Sequence, residues 1–320
     1  MVSGSSKGII KQRTIQFAET EDLVAHWQTP TLFSDKLLPF LEQEYNAVPE
    51  KERIGKGRVY ITRAAVDGLS SYLKSKTAKN VEMTLDSFLH FSEQVFSYAS
   101  ERKENFLRYL SIFLLAEVVK KNSNAFLTCE HQILEWANDA DWEVREIALE
   151  FVLNGVKYYP EAILPKARDW ASSSNPNLRR FATEGLRPRG GTKWLRDPEQ
   201  NDEVLNLLRQ LRYDSSEYVR KSVSNNLKDL TKYMPQKILT LLKRWVQDAG
   251  IVVTPDLASK TMAEIGADKY RLLYIVKKAL RWIKAKNPEL HPFVETIIGS
   301  NYIRYFDEKK NVLAKQKSSK

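Results

Sequence analysis

The stretch W-A-S-S-S-N-P-N-L-R-R-F-A-T-E-G-L-R-P-R-G-G-T-K-W-L-R, residues 170–196, gathers basic residues around one acid, Glu184. On a helix, Arg180, Glu184 and Arg187 fall at i, i+4 and i+7 and stand in one row. Leu178, Phe181, Ala182 and Gly185 have the spacing of a different, buried face. A carboxylate in a basic row suits a surface that grips an anion and needs negative charge at one point. The same residues also suit an Arg180–Glu184 surface ion pair, which contributes little to stability. Downstream, Pro188 stops the helix and Gly190-Gly191 let the backbone come close to a ligand. Lys193 and Trp194 then set a cation beside a flat aromatic, a pairing that stacks on bases or sugars. Trp194 as a core residue capping the next helix fits the pattern equally well. A second acid, Asp141, precedes Trp142 in A-D-W-E-V-R-E, where it is first of all an N-cap.

The elements that carry these residues are helical. From Asp22 onward the periodicity is that of an all-α chain, with helices around Leu37–Leu41, Ile61–Leu73, Val81–Ala99 and Phe106–Val119. For the third, the expected stripe is Leu85, Phe88, Leu89, Ser92 and Phe96. Arg58–Thr62 is the one strand-like stretch and is too short to count. The second half repeats. Trp136, Trp170, Leu211 and Trp245 are anchors; nine residues later stand Arg145, Arg179, Arg220 and Thr254, and six before each of these lie Asp139, Ser173, Asp214 and Asp248. Each copy reads as a helix, a polar turn and a second helix opening at V-R or L-R. An Asp–Arg pair at this spacing resembles the HEAT repeat, in which Asp and Arg form a ladder between stacked hairpins. That assigns Arg145, Arg179 and Arg220 to structure. Stacked hairpins of this kind build a solenoid whose second helices line the concave face. On those helices Arg180, Arg187, Lys221, Lys228 and Lys232 form a basic strip, with Asn225 in the same row. Such a strip suits phosphates, and it also suits a solvated helix face.

The totals narrow the classes. The chain has 320 residues, a single cysteine, four scattered histidines and a net charge of +10. Internal disulfides are excluded and a metal site is not expected. There is no phosphate-binding glycine loop, no membrane span and no signal-peptide pattern, so no cofactor and a cytoplasmic location are expected. The basic balance favours a polyanionic partner. We expect a flexible segment over 1–20, a single helical-repeat domain over 21–306 with repeats clearest at 130–265, and a lysine-rich disordered tail over 307–320.

Two longer motifs are more specific. L-R-R-F-A-T-E-G-L-R-P-R (178–189) and E-Y-V-R-K-S-V-S-N-N-L-K-D-L (217–230) resemble those of the HEAT-like DNA alkylation repair glycosylases, nearest the AlkC branch of the AlkC/AlkD superfamily. The resemblance covers about residues 130–250. It implies an all-α HEAT-like solenoid with a basic concave face, holding duplex DNA that contains alkylated bases. It also implies cofactor-free, metal-free hydrolysis of the N-glycosidic bond of cationic purines such as 3-methyladenine and 7-methylguanine, without base flipping, by a monomer. Carried over residue by residue, Glu184 and Asp141 are the catalytic acids and Arg180 holds a lesion-side phosphate. Trp142, Arg187, Arg189, Lys193, Trp194, Lys221, Asn225 and Lys228 contact DNA. The chain departs from the pattern in G-G-T-K-W after R-P-R, in Asp rather than Glu at 141, in a longer segment after Arg145, and in carrying no C-terminal immunoglobulin-like domain. A non-catalytic, structure-specific DNA binder and a protein-interaction scaffold are the other readings of the same scaffold.

Overall fold

A computed structural model describes residues 6–77, 84–189 and 191–302. The contacts divide the chain into two compact units, 1–159 and 160–320, in place of the single domain expected over 21–306. Among the described residues every regular element is helical.

The first unit holds α1 (Lys7–Thr20), α2 (Pro30–Asn46), α3 (Arg58–Thr77), α4 (Leu85–Glu101), α5 (Asn105–Val119), α6 (Ser123–Thr128), α7 (Glu130–Ala137) and α8 (Trp142–Tyr158). The segment expected to be flexible over 1–20 is largely α1. Ser6 caps it by accepting from the Ile9 N–H, and Ile10, Thr14 and Ala18, one turn apart, are buried. Thr14 and Ala18 are small enough to let α1 lie close on α3. A Cβ at Gly68 would come within 2.7 Å of the Lys11 carbonyl oxygen and of Thr14, so the crossing requires glycine. Residues 1–5 and the tail at 307–320 lie outside the described residues. Helix α5 is apolar on nearly all sides because α3, α4 and α8 pack around it. On α4 the buried stripe is Phe91, Ser92, Val95 and Ala99; of the expected set only Ser92 is buried. Trp27 packs on this helix, stacked on Phe91 at 3.9 Å and edge-on to Phe88 at 4.8 Å.

The second unit holds α9 (Pro160–Ala171), α10 (Pro176–Gly185), α11 (Asp202–Gln210), α12 (Glu217–Leu230), α13 (Pro235–Asp248), α14 (Met262–Ile265), α15 (Ala267–Ala279), α16 (Arg281–Lys286) and α17 (His291–Ile298). The repeat is visible in it. Each anchor is buried at or near the end of a first helix, and Trp170 packs against Phe181 of α10 at 5.2 Å. Trp136 does the same in the first unit, lying against Phe151 of α8 at 5.9 Å.

The arginines behave alike. Arg145, Arg179 and Arg220 each send Nη1 back to two carbonyls of their own turn, those of Asp139 and Ala140, Ser173 and Ser174, Asp214 and Ser215. Arg179 also reaches forward to the next turn, its Nε and Nη2 meeting the two oxygens of Asp214 at 2.6 and 3.0 Å. This is the ladder contact. In the first unit Arg108 of α5 makes it with Asp139 at 3.1 Å, which phases one repeat earlier than those read from the sequence. The fourth copy departs from the pattern. Gly250 takes a left-handed φ of 60°, residues 251–254 have no regular secondary structure, and Thr254 lies in that segment and opens no helix.

Candidate functional site

Helix α10 begins with Asn175 as N-cap, accepting from the Asn177 N–H, and Pro176 at its first position. It ends at Gly185, so Arg187 stands beyond the helix and not in its row. That ending brings Arg187 back over Glu184. The Glu184 carboxylate is buried, with 4% of the residue exposed. One oxygen takes Arg187 Nη1 and, at 3.0 Å, Arg189 Nη2; the other accepts from Ser222 Oγ at 2.8 Å. Arg180 is also buried and lies over the Tyr218 ring at 4.4 Å. Glu184 is therefore neither the exposed acid of a basic row nor a surface ion pair. It is an internal carboxylate with both oxygens hydrogen-bonded. Burial pushes its pKa up, but the Arg187 charge and hydrogen bond, the Arg180 charge and the Ser222 hydroxyl together hold it below the usual carboxylate value.

The centre of this cluster is a residue the site reading left out. Asp229, the acid in the closing K-D-L of the second motif, accepts from Arg187 Nε at 3.0 Å and Nη2 at 2.5 Å. Its other oxygen meets Lys228 at 3.2 Å and Lys232 at 3.1 Å. Burial raises its pKa and Arg187, Lys228 and Lys232 more than offset that, so it too sits low. Lys228 is depressed, because burial of the ammonium outweighs the pull of Asp229. Glu184 and Asp229 thus hold Arg187 between them, and Arg180, Arg189, Lys228 and Lys232 leave the cluster with an excess of positive charge.

Lys221 is exposed and pairs with Glu217 at 3.0 Å. Asn225 is partly buried and accepts from Arg281 at 3.0 Å. Lys193 is exposed, and Trp194, partly buried, opens a short 3-10 turn. The structure brings together Arg187, Arg189 and Lys228 around the two acids; Lys221 stands apart, paired with Glu217.

Asp141 and Trp142 belong to the first unit. Asp141 caps α8, accepting from the Glu143 N–H at 2.9 Å, and its second oxygen takes Arg108 at 2.8 Å. Both oxygens are used, as befits an N-cap. Trp142 begins the helix with 61% of its surface exposed. Glu146, four residues on, is partly exposed on the same side. Of the acids of α8, Glu143 accepts from the Tyr109 hydroxyl and Glu150 from Arg63 at 2.6 Å, and Glu146 too is engaged within the fold. Trp142 is thus an open aromatic with a carboxylate, Glu146, one turn along the helix. The W-E-V-R-E spacing held that signal, because a residue and its i+4 neighbour share a helix face.

An all-helical chain of Asp–Arg hairpins, with arginines clustered on buried acids in its second unit, defines a helical-repeat protein suited to anions. Residues 98–263, more than half of the chain, match the DNA alkylation repair enzyme family, and the chain belongs to that family. The Bacillus subtilis protein YhaZ is 35% identical over 89 residues, 27% of this chain and 24% of that protein, so the chain spans about a quarter of the length of this curated relative. Among solved structures, AlkD2 from Streptococcus mutans is similar at 22% identity and a TM-score of 0.49, over 78% of this chain and 99% of that one. The Pseudomonas fluorescens alkylpurine DNA glycosylase AlkC, bound to DNA containing an abasic site analogue, is similar at 21% identity and a TM-score of 0.36, over 77% and 68% of the two chains. Among the described residues no helix is long and apolar enough to cross a membrane.

Proposed function

We propose that this chain is a DNA glycosylase that hydrolyses the N-glycosidic bond of cationic alkylated purines in duplex DNA. Membership of the DNA alkylation repair family supports the setting. The observation that carries the chemistry is Trp142, exposed on α8 with Glu146 one turn along. A 3-methyladenine or 7-methylguanine base is a flat cation. The face of a tryptophan attracts it, and a carboxylate beside it complements its charge. Such a base leaves without prior protonation, so the barrier lies in the sugar, which becomes oxocarbenium-like as the bond breaks. A fixed carboxylate stabilises that charge and orients the attacking water.

The second unit carries cations suited to a DNA backbone. Arg189, Lys193, Lys221, Lys228 and Lys232 contact phosphates, and Asn225 and Trp194 flank them. Glu184 and Asp229 act as positioning residues that hold Arg187 and orient Arg189. In this scheme Glu146 takes the role of the attacking-side carboxylate, and Asp141 sets the start of α8.

The test is release of free 3-methyladenine and 7-methylguanine from alkylated duplex DNA. Wild type is expected to release base. Glu146→Gln is expected to lose about 10²–10³ in rate with duplex binding retained. Glu184→Gln is expected to weaken duplex binding more than the chemical step under saturating protein. Were Glu184→Gln to abolish the chemical step while Glu146→Gln kept it, the carboxylate would be Glu184. Duplex binding without any base release by wild type would leave a non-catalytic DNA binder.

A further inference from the structure

The first unit, which carries Trp142, contains a cleft of about 500 Å³ that the site described above does not use. Its walls are the starts of α1, α3 and α8, the end of α2, the turn between α2 and α3, and Tyr109 of α5. That turn reads R-I-G-K-G-R over 53–58 and contains no acid. Ile54 stands at the rim with 98% of its surface exposed. The turn that presents it is braced. Arg53 donates from Nε to the Val48 carbonyl oxygen at 3.0 Å and from Nη2 to that of Asn46 at 3.3 Å. The N–H groups of Gly55 and Lys56 meet the Glu52 carbonyl oxygen at 3.0 and 2.9 Å. A Cβ at Gly57 would come within 3.1 Å of the Arg53 carbonyl oxygen, so the turn closes tightly there.

The cleft carries both signs of charge. Lys7 lies over the Tyr60 ring at 5.4 Å and Arg58 over the Tyr45 ring at 5.1 Å, and both cations are exposed. Among the described residues neither has a carboxylate at salt-bridge distance. Arg63, the third cation, is held by Glu150 at 2.6 Å. The one acid lining the cleft is Glu143, which directly follows Trp142 in the chain. It accepts from the Tyr109 hydroxyl and, at 3.4 Å, from Asn105 Nδ2. Two cations without an acid partner thus share the cleft with one carboxylate.

We propose that this cleft seats the lesion-bearing strand of duplex DNA beside Trp142, with Lys7 and Arg58 on its phosphates and Ile54 wedged at a base step. The inference rests on the glycosylase reading. A nucleotide with an alkylated purine is an anion at its phosphate and a cation at its base. The cleft holds the complement of both, ammonium and guanidinium for the phosphates and Glu143 for the base. An acidic peptide would satisfy Lys7 and Arg58 and leave Glu143 facing like charge. Besides Ile54, only Val59, 38% exposed, offers open aliphatic surface in the cleft. That is far short of the apolar core of a protein interface. It matches the slot between two base pairs, which a single isoleucine or leucine enters while cations hold the flanking phosphates.

The experiment uses the full chain and a fluorescein-labelled duplex of about 20 base pairs, with a tetrahydrofuran abasic-site analogue at its centre and 2-aminopurine as the neighbouring base. The analogue is not hydrolysed, so binding is read apart from base release. Anisotropy at several salt concentrations gives affinity, and 2-aminopurine fluorescence reports unstacking. The double variant Lys7→Gln, Arg58→Gln is expected to lower the slope of log affinity against log salt by about 2. Wild type is expected to raise the 2-aminopurine signal about twofold or more, and Ile54→Ser to lose that rise while keeping affinity within about tenfold. Where the double variant fails to fold, Lys7→Gln alone, exposed in the first turn of α1, reads the same contact as a slope lower by about 1. An unchanged slope overturns the proposal, and so does a fluorescence rise that survives Ile54→Ser. The glycosylase reading fails separately. Wild type that binds this duplex and releases no base from alkylated DNA overturns that reading, while the slope and the fluorescence still decide the cleft.

Discussion

Glu184 shows what burial does to an acid that looks catalytic in the sequence. A carboxylate buried beside Arg187, Arg189 and Ser222 spends its negative charge on holding guanidinium groups in place. Removing one member of such a cluster leaves buried charge uncompensated. Glu184→Gln keeps the shape but halves the acid available to Arg187, since Asp229 still holds it. The expected loss is about 1–3 kcal/mol at neutral pH, read by denaturant unfolding. The pH dependence follows from the direction of the shift. Glu184 and Asp229 sit below their ordinary carboxylate values when folded. Their contribution is therefore complete at neutral pH, above the unfolded pKa, and is lost as pH falls through the depressed folded values. Wild type should lose stability steeply on acidification below about pH 4, with a shallower acid limb in Glu184→Gln. Equal acid limbs in the two proteins would mean that these acids do not hold the cluster together. In the first unit Asp141 makes the converse point: a capping acid with both oxygens engaged is best understood through the helix it starts.

At the level of elements, the hairpin turn is the recurring unit and its arginine is the part that makes it rigid. Arg179 ties its own turn through two carbonyls and the next turn through both oxygens of Asp214, whose side chain is almost wholly buried. A double-mutant cycle with Arg179→Ala and Asp214→Ala should therefore show a coupling of about 1–3 kcal/mol. The exposed Lys221–Glu217 pair, cycled the same way, should give less than about 0.5 kcal/mol. Coupling at 179 and 214 as small as at the surface pair would remove the ladder as a stabilising device. These hairpins were legible in the sequence because a hydrophobic–arginine dipeptide, Val144-Arg145, Leu178-Arg179 and Val219-Arg220, marks each second helix nine residues after a bulky anchor. Leu107-Arg108 carries the same mark and went unphased, because the long α5 that it opens is buried on most sides and hides the period. Helix α1 was missed for a different reason. Its buried face has one large apolar residue, Ile10, beside Thr14 and Ala18, too little to register as a stripe, and the Gly68 close approach that makes it pack lies on another helix. Of the partners of Glu184, Ser222 was hidden because it lies 38 residues away, a distance that only the stacking of α10 on α12 closes.

For the molecule as a whole, the net charge of +10 favours polyanions without saying where they bind. The paired and unpaired cations make the question local. Lys228 and Lys232 each face Asp229, so their charge is partly spent within the fold. Lys193 and Lys221 are exposed, and Lys221 is held only by a solvent-screened pair that a phosphate can displace. Each lysine that contacts a duplex phosphate releases about 0.9 of a counterion on binding. The double variant Lys193→Ala, Lys221→Ala should then lower the slope of log affinity against log salt by about 2, with little dependence on DNA sequence. Measuring duplex affinity at several salt concentrations for wild type and variant reads that slope directly. A unit-for-unit fall identifies the second unit as the surface that meets DNA. An unchanged slope, with affinity lowered only through the loss of total charge, would remove these two lysines from the interface and require the duplex to be gripped elsewhere in the chain. The two results differ because a long-range field is screened within about a Debye length, whereas a direct phosphate contact displaces a bound ion at any salt.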